Sequence, residues 1–289
     1  MHVEGSCTAL LRNIKSFPMN NLIKTKKSLG QHFLSANWVL SYILNSAEID
    51  DTDTIIEIGP GRGKLTRELS TLANKVKCIE LDDRLISSLE EDFPVESNVN
   101  IIHGDARIVD IPNIVGLIPY KLVANLPYYA AMPIIMRFVE ASTPPSLIVV
   151  MVQDEVARNL SALPGKLSIP AVILQNFGKV SYIKKIPPSA FKPAPKIFSA
   201  IIKITLFDKP KISSKSQHGF FDLIKKGFGS KRKKLYNNIS VAFDISKIEV
   251  KEILLLNNIN IDLRPQSLTI TNWIDLFLTM KNHGYITNV

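Results

Sequence analysis

Four consecutive residues, Asn125-Leu126-Pro127-Tyr128, combine two hydrogen-bond acceptors with an aromatic ring directly after a short apolar run. The side-chain oxygen of Asn125 and the carbonyl of Leu126 could accept from both N–H groups of an exocyclic amine on a purine base. Such an amine is a poor nucleophile because its lone pair is delocalised into the ring, and two acceptors would draw the nitrogen towards tetrahedral geometry. Pro127 biases Leu126 towards an extended conformation, and the Tyr128 ring could stack on the base. The motif therefore predicts chemistry on a base amine, although each residue alone is equally typical of an ordinary loop.

A glycine-rich loop at residues 59–63 also follows an apolar run and precedes a helical pattern. Glycine permits positive φ and close approach of a ligand, and a helix N-terminus adds free N–H groups and partial positive charge. The spacing of Gly59, Gly61 and Gly63 is G-x-G-x-G and departs from the dinucleotide fingerprint G-x-G-x-x-G. Glu80, after the next apolar run, could accept hydrogen bonds from both hydroxyls of a ribose. The loop and the acid predict an adenosine-type cofactor and leave NAD and S-adenosylmethionine equally open.

Asp105 follows the third apolar run, in the string His103-Gly104-Asp105-Ala106. Its carboxylate could accept from the exocyclic amine of a bound adenine. Because Gly-Asp is common in turns, a turn is an equally good interpretation of this residue alone.

The candidate residues end successive predicted strands, so the elements must bring them to one edge of a sheet. Short β-branched runs alternate with helical patterns from Thr52 to about Leu206, which is typical of a parallel α/β sheet. We predict strands at 54–58, 75–81, 98–103, 121–125, 146–152 and 200–207, and helices at 64–73, 84–91 and 153–163. Ligands bind at the carboxyl ends of strands in open α/β sheets. Residues 208–217, rich in Pro, Lys and Ser, predict a linker, and the apolar spacing from 220 to 280 predicts helices.

Composition excludes several classes of protein. The 289 residues are 46% hydrophobic and 21% charged, which is typical of a globular chain with room for two domains. No apolar run approaches the length of a membrane span, so we predict a soluble protein without membrane contact. Two cysteines, Cys7 and Cys78, form no disulfide framework and indicate a reducing compartment. The five histidines lack metal-ligand spacing, and we predict no metal site.

The charge is concentrated in one part of the chain. Residues 1–178 hold 16 basic and 19 acidic side chains, whereas residues 179–289 hold 19 basic and 7 acidic ones. A one-sided basic surface predicts a polyanionic partner, here a nucleic acid. A cluster with few compensating acids is predicted to neutralise phosphates rather than only to solvate a helix face: Lys225, Lys226, Lys231, Arg232, Lys233 and Lys234.

Taken in order, six strings resemble the ribosomal RNA adenine N6,N6-dimethyltransferase family, of the KsgA type that acts on the bacterial small subunit. They cover about residues 25–280 and are Leu29-Gly30-Gln31-His32-Phe33-Leu34, Glu57-Ile58-Gly59-Pro60-Gly61, Glu80-Leu81-Asp82, Gly104-Asp105-Ala106, Asn125-Leu126-Pro127-Tyr128 and Pro187-Pro188-Ser189-Ala190-Phe191-Lys192-Pro193-Ala194-Pro195-Lys196. The first and last strings are far more specific than the glycine loop.

The resemblance implies an α/β fold, a Rossmann-like class I S-adenosylmethionine-dependent methyltransferase domain with a small all-helical C-terminal domain. We therefore expect an N-terminal extension at 1–19, disordered, a methyltransferase domain at 20–207 and a helical RNA-binding domain at 208–289. S-adenosylmethionine is the implied cofactor. Its implied contacts are His32, Leu34, Gly59, Gly61, Glu80, Asp105 and Asn125. The implied catalytic residues are Asn125, Leu126, Pro127, Tyr128 and Phe191, with Phe191 flanking the target base opposite Tyr128.

The implied reaction is dimethylation at N6 of two adjacent adenosines near the 3′ end of small-subunit ribosomal RNA during ribosome biogenesis. The expected partner is the RNA in an immature small ribosomal subunit, the expected state a monomer, and the expected location the cytoplasm.

Three alternatives stay open at this point. One is a large-subunit rRNA adenine N6-methyltransferase of the macrolide-resistance type; Leu126, where that group usually has Ile, and the string around Phe191 argue against it. The others are a non-catalytic RNA-binding ribosome assembly factor and a nicotinamide dehydrogenase. The sequence also departs from the family pattern at Tyr129 and Ala130-Ala131, which predicts a reshaped pocket rim, and in a short loop at 160–168.

Overall fold

The alternation of β-branched and amphipathic runs becomes an alternation of strands and helices in the computed structural model, which describes residues 32–286. The strands are β1 Phe33–Leu34, β2 Thr54–Ile58, β3 Lys75–Glu80, β4 Val99–His103, β5 Lys121–Asn125, β6 Leu147–Gln153, β7 Gly178–Ile186, β8 Phe191–Lys192 and β9 Ser199–Leu206. The helices are α1 Asn37–Ala47, α2 Lys64–Leu72, α3 Asp83–Asp92, α4 Ile111–Val115, α5 Ala131–Val139, α6 Asp154–Leu160, α7 Ile169–Gln175, α8 Ser214–Gly227, α9 Leu235–Phe243, α10 Lys247–Leu256 and α11 Ile270–Asn282.

Within the described residues, seven strands form one sheet in the order β4-β3-β2-β5-β6-β9-β7. Neighbours from β4 to β6 are parallel, whereas β9 runs antiparallel to both β6 and β7. A parallel open sheet with one reversed strand inserted before the edge is the class I methyltransferase arrangement, and it confirms the predicted fold class.

Strand β9 departs from the parallel direction of its neighbours. The connection from β7 to β9, residues 187–198, contains only a short 3₁₀ turn and β8. A parallel pair requires a crossover over the face of the sheet, usually through a helix, and this connection has none. The short connection therefore returns the chain as an antiparallel neighbour.

Both faces of the sheet are buried, which explains why the strand sequences are almost continuously apolar. Within β5, Leu122 and Ala124 join the core that includes Phe138 of α5, and Val123 joins the core that includes Ile43 of α1. We call these the α5-side core and the α1-side core. Because successive side chains of a strand point to opposite faces, one strand contributes residues to both cores.

The carboxyl ends of the parallel strands meet at one edge of the sheet. Strand register pairs Ile58 with Ala124, and Glu80 with His103. It also pairs Asn125, the last residue of β5, with Met151 of β6. The loops that carry the glycines, the acids and the N-L-P-Y motif therefore leave the sheet side by side.

A second, two-stranded sheet closes over this edge. In it β1 pairs antiparallel with β8, so that Leu34 lies opposite Phe191. The backbone N–H groups of Ser35 and Ala36 both donate to the carbonyl of Ala190, at 2.8 and 3.2 Å. The two most specific strings of the sequence are thus hydrogen-bonded to each other.

The C-terminal helices α8 to α11 surround their own apolar core, with Trp273 fully buried. Leu167 and Ala171, at and before α7, also belong to that core, so α7 joins the helices to the sheet. Gly227 ends α8 in close contact with Trp273. A Cβ at this position would lie 2.5 Å from the indole ring, so the helix can approach the ring this closely only with glycine here.

Several boundaries differ from the sequence predictions. The helix predicted at 153–163 ends at Leu160, and α7 follows separately. The predicted linker 208–217 ends early, because α8 already begins at Ser214. Strand β7 was not predicted, since it carries three lysines and lacks a clean alternation. The predicted N-terminal extension at 1–19 lies outside the described residues.

No helix among the described residues is long and apolar enough to cross a membrane. In that same part of the chain no group of His, Cys, Asp and Glu side chains is arranged to hold a metal ion. Cys78 is buried as a free thiol.

Candidate active site

Asn125 ends β5 at the centre of the carboxyl edge, and one hydrogen bond fixes the direction of its side chain. The amide nitrogen Nδ2 donates to the backbone carbonyl of His32 at 3.3 Å. A carbonyl can only accept, so the nitrogen end of the amide must face His32. The oxygen Oδ1 therefore points away from this contact and remains available as an acceptor.

Leu126 continues the edge immediately after β5. Its N–H donates to the carbonyl of Met151 at 3.3 Å, which anchors the backbone to β6. The Leu126 carbonyl accepts no hydrogen bond from any residue between 32 and 286, whereas the next carbonyl, that of Pro127, accepts from Ala130 at 3.0 Å. The two acceptors proposed from the sequence, Asn125 Oδ1 and the Leu126 carbonyl, are thus both unused within the described chain.

Tyr128 is held at its hydroxyl and at its ring. Its hydroxyl shares a hydrogen bond of 2.6 Å with that of Ser199, the buried first residue of β9. Burial raises the pKa of the Tyr128 hydroxyl, so it is neutral at physiological pH. The ring stacks against that of His32, with centroids 5.9 Å apart and planes inclined by 28°.

His32 therefore belongs to the same group of side chains as the N-L-P-Y motif. Its Nδ1 lies 2.8 Å from the carbonyl of Pro193 and must donate to it, since a carbonyl only accepts. In the neutral ring this leaves Nε2 as an acceptor. The histidine joins the string before β1 to the string after β8, across the motif.

Phe191 lies closer to the protein interior than its predicted role implies. The ring is only 3% exposed and packs in the α1-side core. Leu34, its partner in the two-stranded sheet, is half-buried beside it. That Phe191 flanks a base opposite Tyr128 stays a prediction.

The glycine loop turns back towards Glu80 at the end of β3. Gly59, Gly61 and Gly63 all have positive φ, of 67°, 61° and 69°. The backbone N–H of Gly61 donates to Glu80 Oε2 at 3.1 Å, and those of Leu81 and Asp82 donate to Oε1 at 2.9 Å. Burial raises the pKa of Glu80 although these three donors favour its ionised form.

The site fits an adenosine-containing cofactor. The space beside Gly59 is open, since a Cβ there would meet nothing within 4 Å, and a ligand can reach the backbone closely. From the described residues Glu80 Oε2 accepts one hydrogen bond, which leaves a lone pair for a ribose hydroxyl. Leu81 follows with 40% of its surface exposed and offers an apolar contact to a base. The individual cofactor contacts named from the sequence stay predictions.

Glu57 and Cys78 lie beneath the glycine loop, paired across β2 and β3. The Cys78 thiol contacts Glu57 Oε2 at 3.6 Å. Burial raises the pKa of the Glu57 carboxyl to about 7 and raises that of the Cys78 thiol. No pattern in the sequence indicated this pair, because both residues lie inside strands.

Asp105 does lie at the carboxyl edge, but its carboxylate is occupied by Arg107. Arg107 Nη2 approaches Oδ2 at 2.6 Å, and its Nε and backbone N–H both contact Oδ1 at 2.9 Å. These bonds lower the pKa of Asp105. The Arg107 guanidinium also lies 6.0 Å from the ring of Tyr129. Contact of Asp105 with an adenine amine therefore requires sharing or displacing Arg107.

Of the three departures after the motif, only Tyr129 reaches the surface, with 51% exposure. Ala130 and Ala131 are buried in the α5-side core, so they do not form the rim. The short loop at 160–168 is tied to the helical region, because the N–H groups of Gly165 and Leu167 donate to the carbonyl of Gln266 at 2.8 and 3.2 Å.

The predicted basic cluster spans the end of α8, the following turn and the residue before α9. Two of its members are paired with acids: Lys226 with Asp222 at 2.8 Å, and Lys234 with Asp262 at 2.5 Å. The turn at 229–233 is fixed from beneath by buried Asn238, which donates to the carbonyls of Gly227 and Ser230 at 2.6 and 3.0 Å.

Known proteins with related sequences share one description. Residues 22–276 match the sequence profile of the family "Ribosomal RNA adenine dimethylase". A relative from Dehalococcoides mccartyi, named ribosomal RNA small subunit methyltransferase A, is 38% identical over 266 residues, covering 92% of this chain and 91% of its own. A relative of the same name from Clostridioides difficile is 39% identical over 255 residues, covering 86% of this chain and 88% of its own.

Solved structures support the fold at lower identity. A dimethyladenosine transferase from Plasmodium falciparum superposes with a TM-score of 0.73 at 24% identity, covering 88% of this chain and 99% of its own. The 23S rRNA methyltransferase ErmE superposes with a TM-score of 0.72 at 23% identity, covering 86% of this chain and 99% of its own. With its family profile and its two relatives matching over most of their lengths, this chain belongs to the ribosomal RNA adenine dimethylase family.

Proposed function

We propose that this protein dimethylates N6 of two adjacent adenosines near the 3′ end of small-subunit ribosomal RNA during ribosome biogenesis. It is an rRNA adenine dimethyltransferase that uses S-adenosylmethionine. The observation that carries the proposal is the fixed amide of Asn125, whose oxygen, like the carbonyl of Leu126, accepts no hydrogen bond from residues 32–286. Two acceptors that the described part of the chain leaves unpartnered suit an –NH₂ group that has two protons to donate.

The chain's own residues contribute orientation and polarisation. The target base leaves its stack to reach the edge of the sheet, as chemistry on a base requires. Asn125 Oδ1 and the Leu126 carbonyl accept from its amine and direct the nitrogen lone pair, while Tyr128, fixed by Ser199, supports the ring. Phe191 is proposed to approach the other face of the base.

When bound, S-adenosylmethionine supplies a methyl group made electrophilic by its sulfonium sulfur. We assign its contacts to His32, Leu34, Gly59, Gly61, Glu80, Asp105 and Asn125. Transfer of that methyl group to the amine held by Asn125 and Leu126 would leave the sulfur as a neutral thioether, and the amine would release its proton to water. No strong general base is needed, because the methylated amine is acidic until it loses that proton.

Small-subunit RNA is favoured over the alternatives. Relatives that are 38% and 39% identical over most of their lengths carry the small-subunit name, whereas the large-subunit enzyme ErmE is 23% identical and supports the fold alone. Both acceptors of the motif are present and have no hydrogen-bond donor among residues 32–286, which argues against a non-catalytic assembly factor.

The wider organisation is proposed on the same basis. We assign 20–207 to the methyltransferase domain and 208–289 to a helical domain whose basic cluster binds RNA. The partner is the RNA of an immature small subunit, and the protein acts as a monomer in the cytoplasm.

The test is incubation of the protein with immature small subunits and methyl-labelled cofactor, followed by mass spectrometry of the RNA. We expect two adjacent dimethyladenosines near the 3′ end. Label in large-subunit RNA only, or no label in either RNA, would refute the proposal.

A further inference from the structure

The carboxyl end of the edge strand β7 lies beside the active site and has no assigned role. Register pairs Ile186 of β7 with Ser199 of β9, and Ser199 in turn with Gln153 at the end of β6. Ser199 is also the residue that holds the Tyr128 hydroxyl. Side chains at the end of β7 therefore stand next to the mouth of the pocket.

Two consecutive lysines follow a bulge in β7 and point to opposite sides of the sheet, as successive strand residues do. The register shifts between Tyr182 and Lys184, which leaves Ile183 as the extra residue, packed on the α1-side core. Lys184 Nζ then lies 4.9 Å from the centre of the Tyr42 ring on α1. Lys185 Nζ lies 3.9 Å from the centre of the Phe198 ring on the other side. Bulges commonly re-aim side chains next to active sites.

The rings under these lysines are exposed although they are large and apolar. Phe198 is 44% exposed and Tyr42 is 38% exposed. Trp38, 43% exposed, meets Tyr42 edge to face with centroids 6.0 Å apart. The opposite side of α1 is buried in the core, so these aromatics form its outward face. They are also near the pocket in the chain, since Ser35 and Ala36, just before α1, are bonded to Ala190.

The charge around this surface favours an anionic partner. Residues 156–207 contain no Asp or Glu but seven Lys and one Arg. Lys184 forms no ion pair with any residue between 32 and 286, and Lys185 only approaches Asp154, at 4.0 Å. Exposed aromatic rings interleaved with lysines are what single-stranded nucleic acid binds, through base stacking and phosphate neutralisation.

We propose that Trp38, Tyr42, Lys184, Lys185 and Phe198, here called the strand-end rim, bind the single-stranded RNA that flanks the target adenine. Because β7 is the last strand of the sheet, the RNA crosses its free edge, with bases stacked on Trp38 on one side and on Phe198 on the other. The two lysines neutralise the phosphates between them. This rests on the proposed function and extends it, because the rim would hold the strand after its target base enters the pocket.

Tryptophan fluorescence tests the stacking directly. The chain has two tryptophans, and Trp273 is fully buried, so only Trp38 can be stacked upon by RNA. We expect a single-stranded oligoribonucleotide to quench the emission of the wild type and to leave that of a Trp38→Phe variant unchanged. Saturating RNA that causes no Trp38-dependent quenching would overturn the proposal.

A matched pair of double variants tests the contribution to binding. Phe198 precedes β9 and Phe207 follows it, so the two rings lie at opposite ends of that strand. Phe207 is 38% exposed, and Lys211 Nζ lies 5.1 Å from the centre of its ring. The pair Phe207–Lys211 therefore repeats the same chemistry at the other end of the strand. Lys185→Ala/Phe198→Ala should raise the KM for immature small subunits at least about five-fold, because one stacked base and one phosphate contact are lost. Lys211→Ala/Phe207→Ala should change it less than two-fold.

Both double variants should keep the kcat and the cofactor affinity of the wild type, and thermal melts check their folding. Equal effects of the two pairs, or a kcat loss without a KM change, would refute the rim. Failure of the proposed function is distinguishable, because the wild type would then transfer no methyl group to small subunits whether or not Trp38 is quenched.

Discussion

Asn125 illustrates how one hydrogen bond decides the chemistry of a residue. Its amide could face either way in an isolated loop, with opposite consequences for an approaching amine. The carbonyl of His32 removes that choice by accepting from Nδ2. The string before β1 therefore orients the residue that polarises the substrate, although 93 positions separate the two in sequence.

Asn125→Ala should lower kcat for methyl transfer by at least about 100-fold, the size of loss seen when one preorganised polar group is removed from an active site. Cofactor affinity, measured by calorimetry, should fall only a few-fold because the glycine loop and Glu80 remain. Asn100→Ala is the control, since Asn100 is an exposed asparagine on β4. Retention of wild-type kcat would contradict the role given to Asn125.

Glu57 gives the protein a pH-dependent stability. Its pKa is raised by burial from 4.5 to about 7, so the folded state binds a proton that the unfolded state has released. Stability from this group is therefore present at low pH and lost as the pH rises towards 7. Between pH 5 and pH 8 the loss is about 2 kcal/mol.

Glu57→Gln should remove this component. Urea unfolding at the two pH values measures the free energy of unfolding of each protein. The value for the variant minus that for the wild type should be about 2 kcal/mol larger at pH 8 than at pH 5. The difference between the two proteins cancels the other titrating groups. Parallel pH profiles for the two proteins would mean that Glu57 is ionised in the folded state at both pH values.

At the scale of elements, the connections rather than the strands position the site. The two-stranded sheet brings His32 and Pro193 together over the motif, and the turn after α8 presents the basic cluster. Each connection is fixed by a few hydrogen bonds that a buried or half-buried side chain donates to backbone carbonyls. Such side chains act on function through the loop that they hold.

Asn238→Ala should loosen the turn at 229–233. The buried amide loses its bonds to Gly227 and Ser230, so the free energy of unfolding should fall by about 1–3 kcal/mol. RNA affinity should also fall, because the basic side chains would be ordered only on binding. Asn237→Ala, one position along α9, is the control, measured by denaturant unfolding and RNA titration. Equal losses for both variants would show that the turn does not depend on Asn238.

The elements also show what the sequence could and could not predict. Strands β2 and β5 were predicted with correct bounds because both faces are buried and their runs are continuously apolar. Strand β7 was missed because an edge strand can expose Lys179, Lys184 and Lys185 to solvent. The pairing of β1 with β8 was also not predictable, since strands of two residues carry no periodicity. The motif residues were found because four unusual types stand together, whereas Ser199 and Arg107 act through contacts that spacing does not encode.

Across the whole molecule, the net charge of +9 divides into a value of −3 for residues 1–178 and +12 for residues 179–289. The basic part reaches both the helical region and, through β7, the mouth of the pocket. Not every basic residue adds to the positive potential of the surface, since Lys203 is paired with Glu48 and Lys121 with Asp53. The attraction for RNA must come from the cations that no acid neutralises.

Salt dependence separates these two kinds of lysine in the basic cluster. Lys231 and Lys233 are exposed, and neither forms an ion pair within residues 32–286, so each can release a counterion when it contacts a phosphate. Lys231→Ala/Lys233→Ala should reduce the slope of log K against log salt by about 1.4, at roughly 0.7 per phosphate for single-stranded RNA. Lys234→Ala/Asp262→Ala removes an ion pair without changing the net charge, and it should leave the slope nearly unchanged. Filter binding over a range of salt concentrations measures both slopes. An equal reduction of the slope in the two variants would show that ion pairing within the cluster does not decide which lysines bind RNA.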